Sequence, residues 1–168
     1  MNTAMKVITG IWAFRLSRAL ESKNVLEPVQ EGSRPEHSTR RQVARLLSCI
    51  QDAKRKGEKI VIAFLDFENY FNAISIDVLY VLLEKFGMAA VDIALLKNYY
   101  ARARFEVVQG DGTTSASIPL KRGLRQGCSL SPILGGMVVN AMIRWLESLG
   151  GGYRHGCGEE YNTLLFVD

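Results

Sequence analysis

Cysteine and histidine are scarce in this chain, and their scarcity excludes two classes of protein. The three cysteines, Cys49, Cys128 and Cys157, are odd in number and far apart, so they form neither a disulfide framework nor a CxxC zinc motif. A reduced compartment is the simplest interpretation, and we expect an intracellular protein, with nucleus and cytoplasm left open. His155 lies near Cys157, but two candidate ligands do not make a tetrahedral metal site.

Long hydrophobic runs are also lacking. The longest apolar stretches, residues 7–14 and 60–65, are far shorter than the roughly 20 residues that a membrane-spanning helix needs. Residues 7–14 follow Lys6 but lack a convincing cleavage site for a signal peptide, so we expect neither secretion nor a membrane partner.

The composition that remains is ordinary for a globular domain. The 168 residues are 48% hydrophobic and 23% charged, which is enough apolar material for one core. The formal net charge of +4 is compatible with a polyanionic partner, although many proteins without one share it.

Hydrophobic periodicity predicts five helices, at about residues 5–26, 38–56, 75–86, 91–102 and 131–149. Ser38 and Ser75 are predicted N-caps, and Gly57 and Gly87 are predicted stops. The last helix opens at Ser131, with Pro132 as its first helical residue.

Strand signals lie between these helices. Residues 60–66 form a short apolar run, which favours a central strand buried on both faces. Residues 105–109 and 116–120 flank a Gly-Asp-Gly turn and predict a hairpin, and residues 161–167 predict a last strand. This mixture predicts an α+β fold.

The second predicted helix carries an apolar stripe and a basic surface. The stripe is Val43, Leu46, Leu47, Ile50 and Ala53. The basic residues are Arg40, Arg41, Arg45, Lys54, Arg55 and Lys56. They could bind phosphates, or they could be the solvated face that most helices have.

Asp66 ends the apolar run 60–66, where a strand leaves the core. A carboxylate in that position can supply a hard oxygen ligand to Mg²⁺. Taken alone, it fits a helix N-cap or a turn residue better.

Residues 123–132 read Gly-Leu-Arg-Gln-Gly-Cys-Ser-Leu-Ser-Pro and form the most specific segment. Gly123 and Gly127 permit positive φ angles and a close approach of the backbone to a ligand. The amide of Gln126 both donates and accepts hydrogen bonds, and Arg125 offers a planar fork for phosphate or carboxylate. A glycine-rich loop that leads into a helix is a natural place for anions.

Three segments resemble motifs A, B and C of reverse transcriptases, most closely those of non-LTR (LINE-type) retrotransposons. They are Phe-Leu-Asp-Phe-Glu-Asn-Tyr-Phe-Asn at residues 64–72, the segment 123–132, and the final Leu-Phe-Val-Asp at residues 165–168. The resemblance implies that Asp66 and Asp168 are the catalytic carboxylates. With Phe67 beside Asp66, they would hold two Mg²⁺ ions, for which Mn²⁺ is the alternative.

The same resemblance gives roles to other residues. Phe71 would close on the sugar and disfavour ribonucleotides, although it could also be plain core. Gln126 and Gly127 would line the nucleotide and template pocket, and Arg125 would brace the loop. Arg34, in a segment that resembles the fingers of these enzymes, would contact the template backbone, or else be an exposed loop charge.

The fold that the resemblance implies is the partial fingers and palm of a right-hand polymerase, with antiparallel palm strands packed on helices. Residues 1–58 would be the fingers-like helical region and residues 59–168 a palm that ends inside motif C, without a thumb. The partners would be an RNA template, a DNA primer and deoxynucleoside triphosphates, and the oligomeric state stays open. We expect this chain to be inactive alone.

The chain departs from the family pattern at several positions. Asn69, Tyr70 and Asn72 replace the usual Lys, Ala and Asp, and Gly135-Gly136 stands where Phe is usual. These changes indicate either a decayed copy or altered packing. A non-catalytic retroelement remnant and a group II intron maturase-type reverse transcriptase are the alternatives.

Overall fold

The structure, a computed structural model, describes residues 3–165. In chain order the elements are α1 Thr3–Ser22, α2 Thr39–Lys56, α3 Tyr70–Ala73, α4 Ile76–Lys85, α5 Ala90–Ala101, β1 Arg104–Phe105, β2 Ile118–Pro119, α6 Ser131–Ser148, β3 Tyr153–Arg154 and β4 Glu160–Tyr161. Strand β1 pairs antiparallel with β2, and β3 pairs antiparallel with β4. Helices combined with small antiparallel strand pairs confirm the predicted α+β class.

The predicted cap at Ser75 and the predicted helix stops at Gly57 and Gly87 are confirmed. The Ser75 hydroxyl accepts a hydrogen bond from the Val78 amide at 3.5 Å, as an N-cap should. Gly57 and Gly87 follow α2 and α4 with φ angles of +68° and +81°, the left-handed conformation of a helix stop. Ser38 is the N-cap residue of α2, but its side chain makes no capping hydrogen bond.

Helix α6 begins one residue earlier than predicted. Its N-cap is Leu130, so Ser131 is already helical and Pro132 is its second residue. The Ser131 hydroxyl donates instead to the carbonyl of Arg125 at 2.8 Å, because the preceding loop folds back over the helix start.

The hydrophobic core lies where α1, α4 and α5 pack around α6. Its buried members are Ala13, Leu20, Ile74, Leu79, Leu83, Ile93, Leu96, Tyr100, Leu124, Cys128, Leu130, Leu134 and Met137. Asn140 of α6 is also buried, and its amide bonds the Val25 carbonyl at 3.1 Å and the Glu27 amide at 2.7 Å. The loop after α1 is thereby fastened to the central helix. The proposed division at residue 58 stays a prediction.

Helix α2 buries only Ala53 of its predicted apolar stripe. Val43 and Leu47 are about half exposed, at 49% and 51%, while Gln42, Cys49 and Asp52 are buried. Polar contacts set this orientation. The Gln42 amide donates to the Leu165 carbonyl at 2.8 Å, and Asp52 accepts from Gly156 N at 2.9 Å. The prediction was wrong for Val43, Leu47 and Ile50, which are exposed, because the helix turns Gln42 and Asp52 inward instead.

The predicted central strand at residues 60–66 was also wrong. This segment has no strand pairing within residues 3–165, and Val61, Phe64 and Leu65 are 95%, 82% and 83% exposed. Strand preference reflects packing against neighbouring strands more than the backbone itself. No such neighbour lies beside this segment in the described part of the chain.

The last predicted strand, 161–167, is shorter than expected in the described residues. Tyr161 pairs with Tyr153, and Leu165 forms an isolated parallel bridge with Gln30. The hairpin prediction is confirmed, because Phe105 pairs with Ile118 and residues 110–112 form the turn.

Between residues 3 and 165, none of the helices combines the length and the apolar character that crossing a membrane requires.

Candidate functional site

A short helical turn, α3, presents the residues that follow Asp66. It begins after Asn69, whose φ of +52° is left-handed, and the Asn69 carbonyl accepts from the amides of Asn72 and Ala73 at 2.9 Å each. Asparagine visits this conformation more readily than most residues with a side chain. The departure from the family's Lys at position 69 therefore fits the local backbone.

The loop of residues 123–127 packs directly on α3. Gly123 N donates to the Ile74 carbonyl at 2.9 Å, and Leu124 N donates to the Phe71 carbonyl at 2.8 Å. Gly123 has a φ of +86°, and a Cβ there would lie 2.9 Å from the Asn72 Cα. Only glycine fits this contact. The two segments singled out in the sequence, 64–72 and 123–132, are thus joined by backbone hydrogen bonds.

Arg125 lies at the centre of the loop and is braced there. Its carbonyl accepts from the Ser131 hydroxyl at 2.8 Å, and its guanidinium lies over the Tyr99 ring, 5.6 Å from the centroid. Burial raises the pKa of Tyr99 to about 12, so its hydroxyl stays protonated and donates towards Cys128 Sγ at 3.6 Å. This geometry agrees with a bracing role for Arg125, which stays a prediction.

The two departures that indicated decay or altered packing touch each other. The Tyr70 hydroxyl donates to the Gly135 carbonyl at 2.6 Å. A Cβ on Gly135 would lie 2.9 Å from Cε1 of Phe71 and 3.3 Å from Cε1 of Tyr70. A large residue on α3 therefore occupies the space that a glycine leaves on α6. This geometry is consistent with altered packing, and the alternative of a decayed copy stays a prediction.

An open cleft of about 760 Å³ lies where α3, the β1–β2 hairpin and the glycine-rich loop meet. Its lining is Asn72, Arg104, Phe105, Glu106, Ser117, Leu120, Arg122, Leu124, Arg125 and Gln126. The lining carries three arginines and one carboxylate, so it favours anions.

Sequence reasoning missed Arg104 and Arg122 as lining residues. Arg104 pairs with Pro119 across the hairpin, and Arg122 follows three residues after Pro119, so both arginines border the same cleft. Arg122 is held in place by donating from Nε to the Ala73 carbonyl at 2.9 Å. Basic residues at both ends of a predicted hairpin were the signal that could have found them.

Asp66 and Phe67 lie on the exposed segment that leads into α3. The Asp66 carboxylate has no hydrogen bond or ion pair with any other residue of 3–165, and the Phe67 ring packs against Tyr70 at a centroid distance of 5.2 Å. An exposed carboxylate is an oxygen donor that Mg²⁺ accepts, so the structure is compatible with the ligand role of Asp66, which stays a prediction. Asp168, the other expected ligand, lies outside the described residues.

Arg34 is engaged within the protein. Its Nε and Nη2 atoms donate to the two carboxylate oxygens of Glu21 at 2.7 Å each, and Nη1 donates to the carbonyls of Glu27 and Gln30. Its side chain is only 10% exposed. The guanidinium therefore fastens the loop between α1 and α2, and the template contact stays a prediction.

Most basic residues of α2 are paired as well. Arg41 and Arg45 lie 3.6 and 2.9 Å from the buried Glu31, and Arg55 and Lys56 pair with Asp52. These ion pairs favour the solvated-face interpretation over a continuous phosphate-binding surface.

His155 and Cys157 form a hydrogen-bonded pair rather than a visible metal centre. The His155 Nδ1 atom lies 3.0 Å from Cys157 Sγ, and its Nε2 lies 3.0 Å from Ser48 Oγ. Across residues 3–165, His, Cys, Asp and Glu side chains do not gather in groups of three or more that could hold a metal ion.

The two joined motifs and the cationic cleft beside them define the candidate site. The family model for reverse transcriptase (RNA-dependent DNA polymerase) matches residues 1–168, the whole of this chain. The chain therefore belongs to the reverse transcriptase family, whose activity is RNA-directed DNA synthesis and whose substrates are nucleic-acid templates and deoxynucleoside triphosphates.

Proposed function

We propose that this chain supplies the nucleotide-binding part of a non-LTR-type reverse transcriptase that extends a DNA primer on an RNA template. The reaction would be nucleotidyl transfer from a deoxynucleoside triphosphate to the primer 3′-hydroxyl. The observation that carries the proposal is the docking of residues 123–127 on α3, beside a cleft lined by three arginines.

The three arginines and Gln126 of the cleft, with the neighbouring Gly127 and Phe71, have roles in this proposal. Arg104 and Arg122 bind phosphate oxygens, and Arg125 holds the loop against Tyr99. Gln126 and Gly127 are exposed at the loop tip and line the pocket for nucleotide and template. Phe71, half-buried beside Asn72, lies against the sugar and excludes a 2′-hydroxyl.

Asp66, the neighbouring Phe67 and Asp168 would hold the metal ions. When bound, two Mg²⁺ ions lower the pKa of a hydroxyl nucleophile and neutralise the leaving group. The chain itself holds the turn after Asp66 in place. The Asn69 carbonyl accepts hydrogen bonds within the turn, and the Gly123 amide donates to the Ile74 carbonyl just after it.

Primer extension tests the proposal. The natural polypeptide that contains residues 1–168 should incorporate deoxynucleotides with Mg²⁺ on an RNA template, and Asp66→Ala should reduce incorporation to background. Asp92→Ala, which removes another exposed aspartate in the first turn of α5, is the matched control and should remain active. Retained activity in Asp66→Ala would refute the role of Asp66.

A non-catalytic, nucleic-acid-binding role is the second candidate for residues 1–168 alone. It is favoured by the segment that carries Asp66, which is exposed and has no strand partner within residues 3–165, because such a segment holds a carboxylate less firmly than a paired strand does. This chain should then bind RNA without extending a primer. Arg122→Ala should lower the slope of log affinity against log salt by about 0.7–0.9 for each phosphate that Arg122 neutralises. Mg²⁺-dependent extension by residues 1–168 would rule this candidate out.

A further inference from the structure

Three rings, those of Phe67, Tyr70 and Phe71, form an aromatic turn that packs on Gly135 of α6. Tyr70 lies between the other two rings, with centroid distances of 5.2 Å to Phe67 and 5.3 Å to Phe71. The Tyr70 and Phe71 rings meet edge to face at 67°, a favourable arrangement for aromatic pairs.

Gly135 provides the surface on which two of these rings rest. It is buried, and any Cβ at this position would collide with Phe71 at 2.9 Å. The Tyr70 hydroxyl reaches the Gly135 carbonyl at 2.6 Å, and burial raises the pKa of Tyr70 above its ordinary value. Tyr70 therefore remains a protonated donor that ties the turn to α6.

The backbone and the ring of Phe71 are held by different groups. Its carbonyl accepts from Leu124 N at 2.8 Å, which fixes the backbone against the glycine-rich loop. Its ring is confined by Tyr70 on one side and Gly135 on the other. The next residue, Asn72, lines the cleft, so Phe71 lies one residue from the cleft wall.

We propose that Tyr70 is a positioning residue that fixes the ring of Phe71 and thereby sets how strictly the site rejects ribonucleotides. The proposal rests on the function proposed above, in which Phe71 lies against the sugar. Tyr70 touches Phe71 and α6, and it acts on the nucleotide only through Phe71.

The first measurement determines the solvent exposure of the Phe71 ring by ¹⁹F NMR and needs no enzyme activity. Residues 1–168 are labelled with 3-fluorophenylalanine, and the Phe71 signal is assigned by its disappearance in Phe71→Leu. The difference in ¹⁹F shift between H₂O and D₂O reports the exposure of the ring. Tyr70→Ala should move this difference towards that of the free amino acid. Tyr70→Phe should leave it close to wild type, because the ring remains.

The second measurement reads the sugar preference in the natural polypeptide that contains residues 1–168. The ratio of kcat/KM for dCTP to that for CTP should fall by roughly tenfold or more in Tyr70→Ala, a size typical of a changed pocket wall. Tyr70→Phe should restore most of the ratio. Tyr80→Ala, which removes a half-buried tyrosine of α4, controls for general loss of stability and should leave the ratio within about twofold.

The outcomes separate this inference from the proposed function. Absence of deoxynucleotide incorporation by wild type would defeat the proposed function, and the isotope difference alone would then decide whether Tyr70 positions Phe71. An active wild type whose Tyr70→Ala variant keeps its sugar ratio would overturn the inference, whatever the isotope difference shows. So would an isotope difference in Tyr70→Ala equal to that of wild type.

Discussion

Gly123 and Gly127 lie four positions apart, and their surroundings in the structure differ. Both have left-handed φ angles, of +86° and +71°, but only Gly123 is pressed against another backbone. A Cβ at Gly127 would meet nothing within 4 Å. An alanine at position 127 would therefore be destabilised by its left-handed φ alone, whereas an alanine at position 123 would also overlap with Asn72.

Gly123→Ala should lower the free energy of unfolding by roughly 2–5 kcal/mol, because a left-handed alanine is added to an overlap with Asn72. Gly127→Ala is the matched control and should cost roughly 1–2 kcal/mol. Urea denaturation of residues 1–168 measures both. Equal changes in the two variants would mean that the loop does not rest on α3.

Arg34 offers a second test at the level of one side chain. Arg34→Lys removes the forked contact with Glu21 and the two carbonyl contacts, and should cost roughly 1–3 kcal/mol in urea denaturation. Arg41→Lys, at a side chain that is 45% exposed, should cost less than about 0.5 kcal/mol. An Arg34→Lys variant with unchanged stability and weakened RNA binding would instead support the predicted template contact.

Residues whose role depends on nearby sequence were predictable. Ser75 and Gly57 act on their own helix ends, and the structure confirms both positions. Residues that act across the chain were not. The need for glycine at position 123 comes from Asn72, about fifty residues earlier, and the tolerance for Tyr70 comes from Gly135. A sequence pattern contains no distance between such positions.

At the scale of elements, the buried carboxylate of Asp52 is one of the groups that join α2 to the β3–β4 hairpin. Asp52 accepts from Lys56 at 2.7 Å and from the Tyr153 hydroxyl and Gly156 amide at 2.9 Å each. Mainly because of Lys56, and against the effect of burial, the pKa of Asp52 is held well below its ordinary value. The hairpin is therefore attached to α2 by a group that stays charged in mild acid.

Asp52→Asn should destabilise the protein at neutral pH, with a sign that follows from this pKa. A depressed pKa in the folded state gives stability that is fully present above the ordinary value of 3.8 and is lost as pH falls through the folded value. The gap in stability between wild type and Asp52→Asn should thus be constant above about pH 5 and narrow in stronger acid. Urea denaturation between pH 3 and 7 measures it, and parallel curves would contradict the assignment.

Two segments, α2 and residues 60–66, were predicted wrongly for the same physical reason. The apolar stripe of α2 and the apolar run 60–66 were assigned to the interior because hydrophobic patterns usually mark it. Burial also needs a partner surface, and the described elements place Gln42 and Asp52 of α2 inside instead. The helices of the core were easier, since α4, α5 and α6 supply surfaces for one another.

At the scale of the whole molecule, the protection of backbone amides from hydrogen exchange should differ strongly between segments. Within residues 3–165, the amides of 60–66 make no backbone hydrogen bonds, whereas α6 is central to the core. Hydrogen exchange followed by mass spectrometry should show residues 60–66 exchanging at the rate of an unstructured chain and α6 strongly protected. Protection of 60–66 comparable with that of α6 would show that this segment pairs in solution.

The contact between Tyr70 and Gly135 also affects how the history of this chain is interpreted. Counted separately, Tyr70 and Gly135 are two departures from the family pattern. In space the bulk missing from one helix is supplied by the other, so a change at either position alone would leave a hole or an overlap. The two positions therefore depend on each other physically, and a count that treats them as independent departures from the motif would count one contact twice.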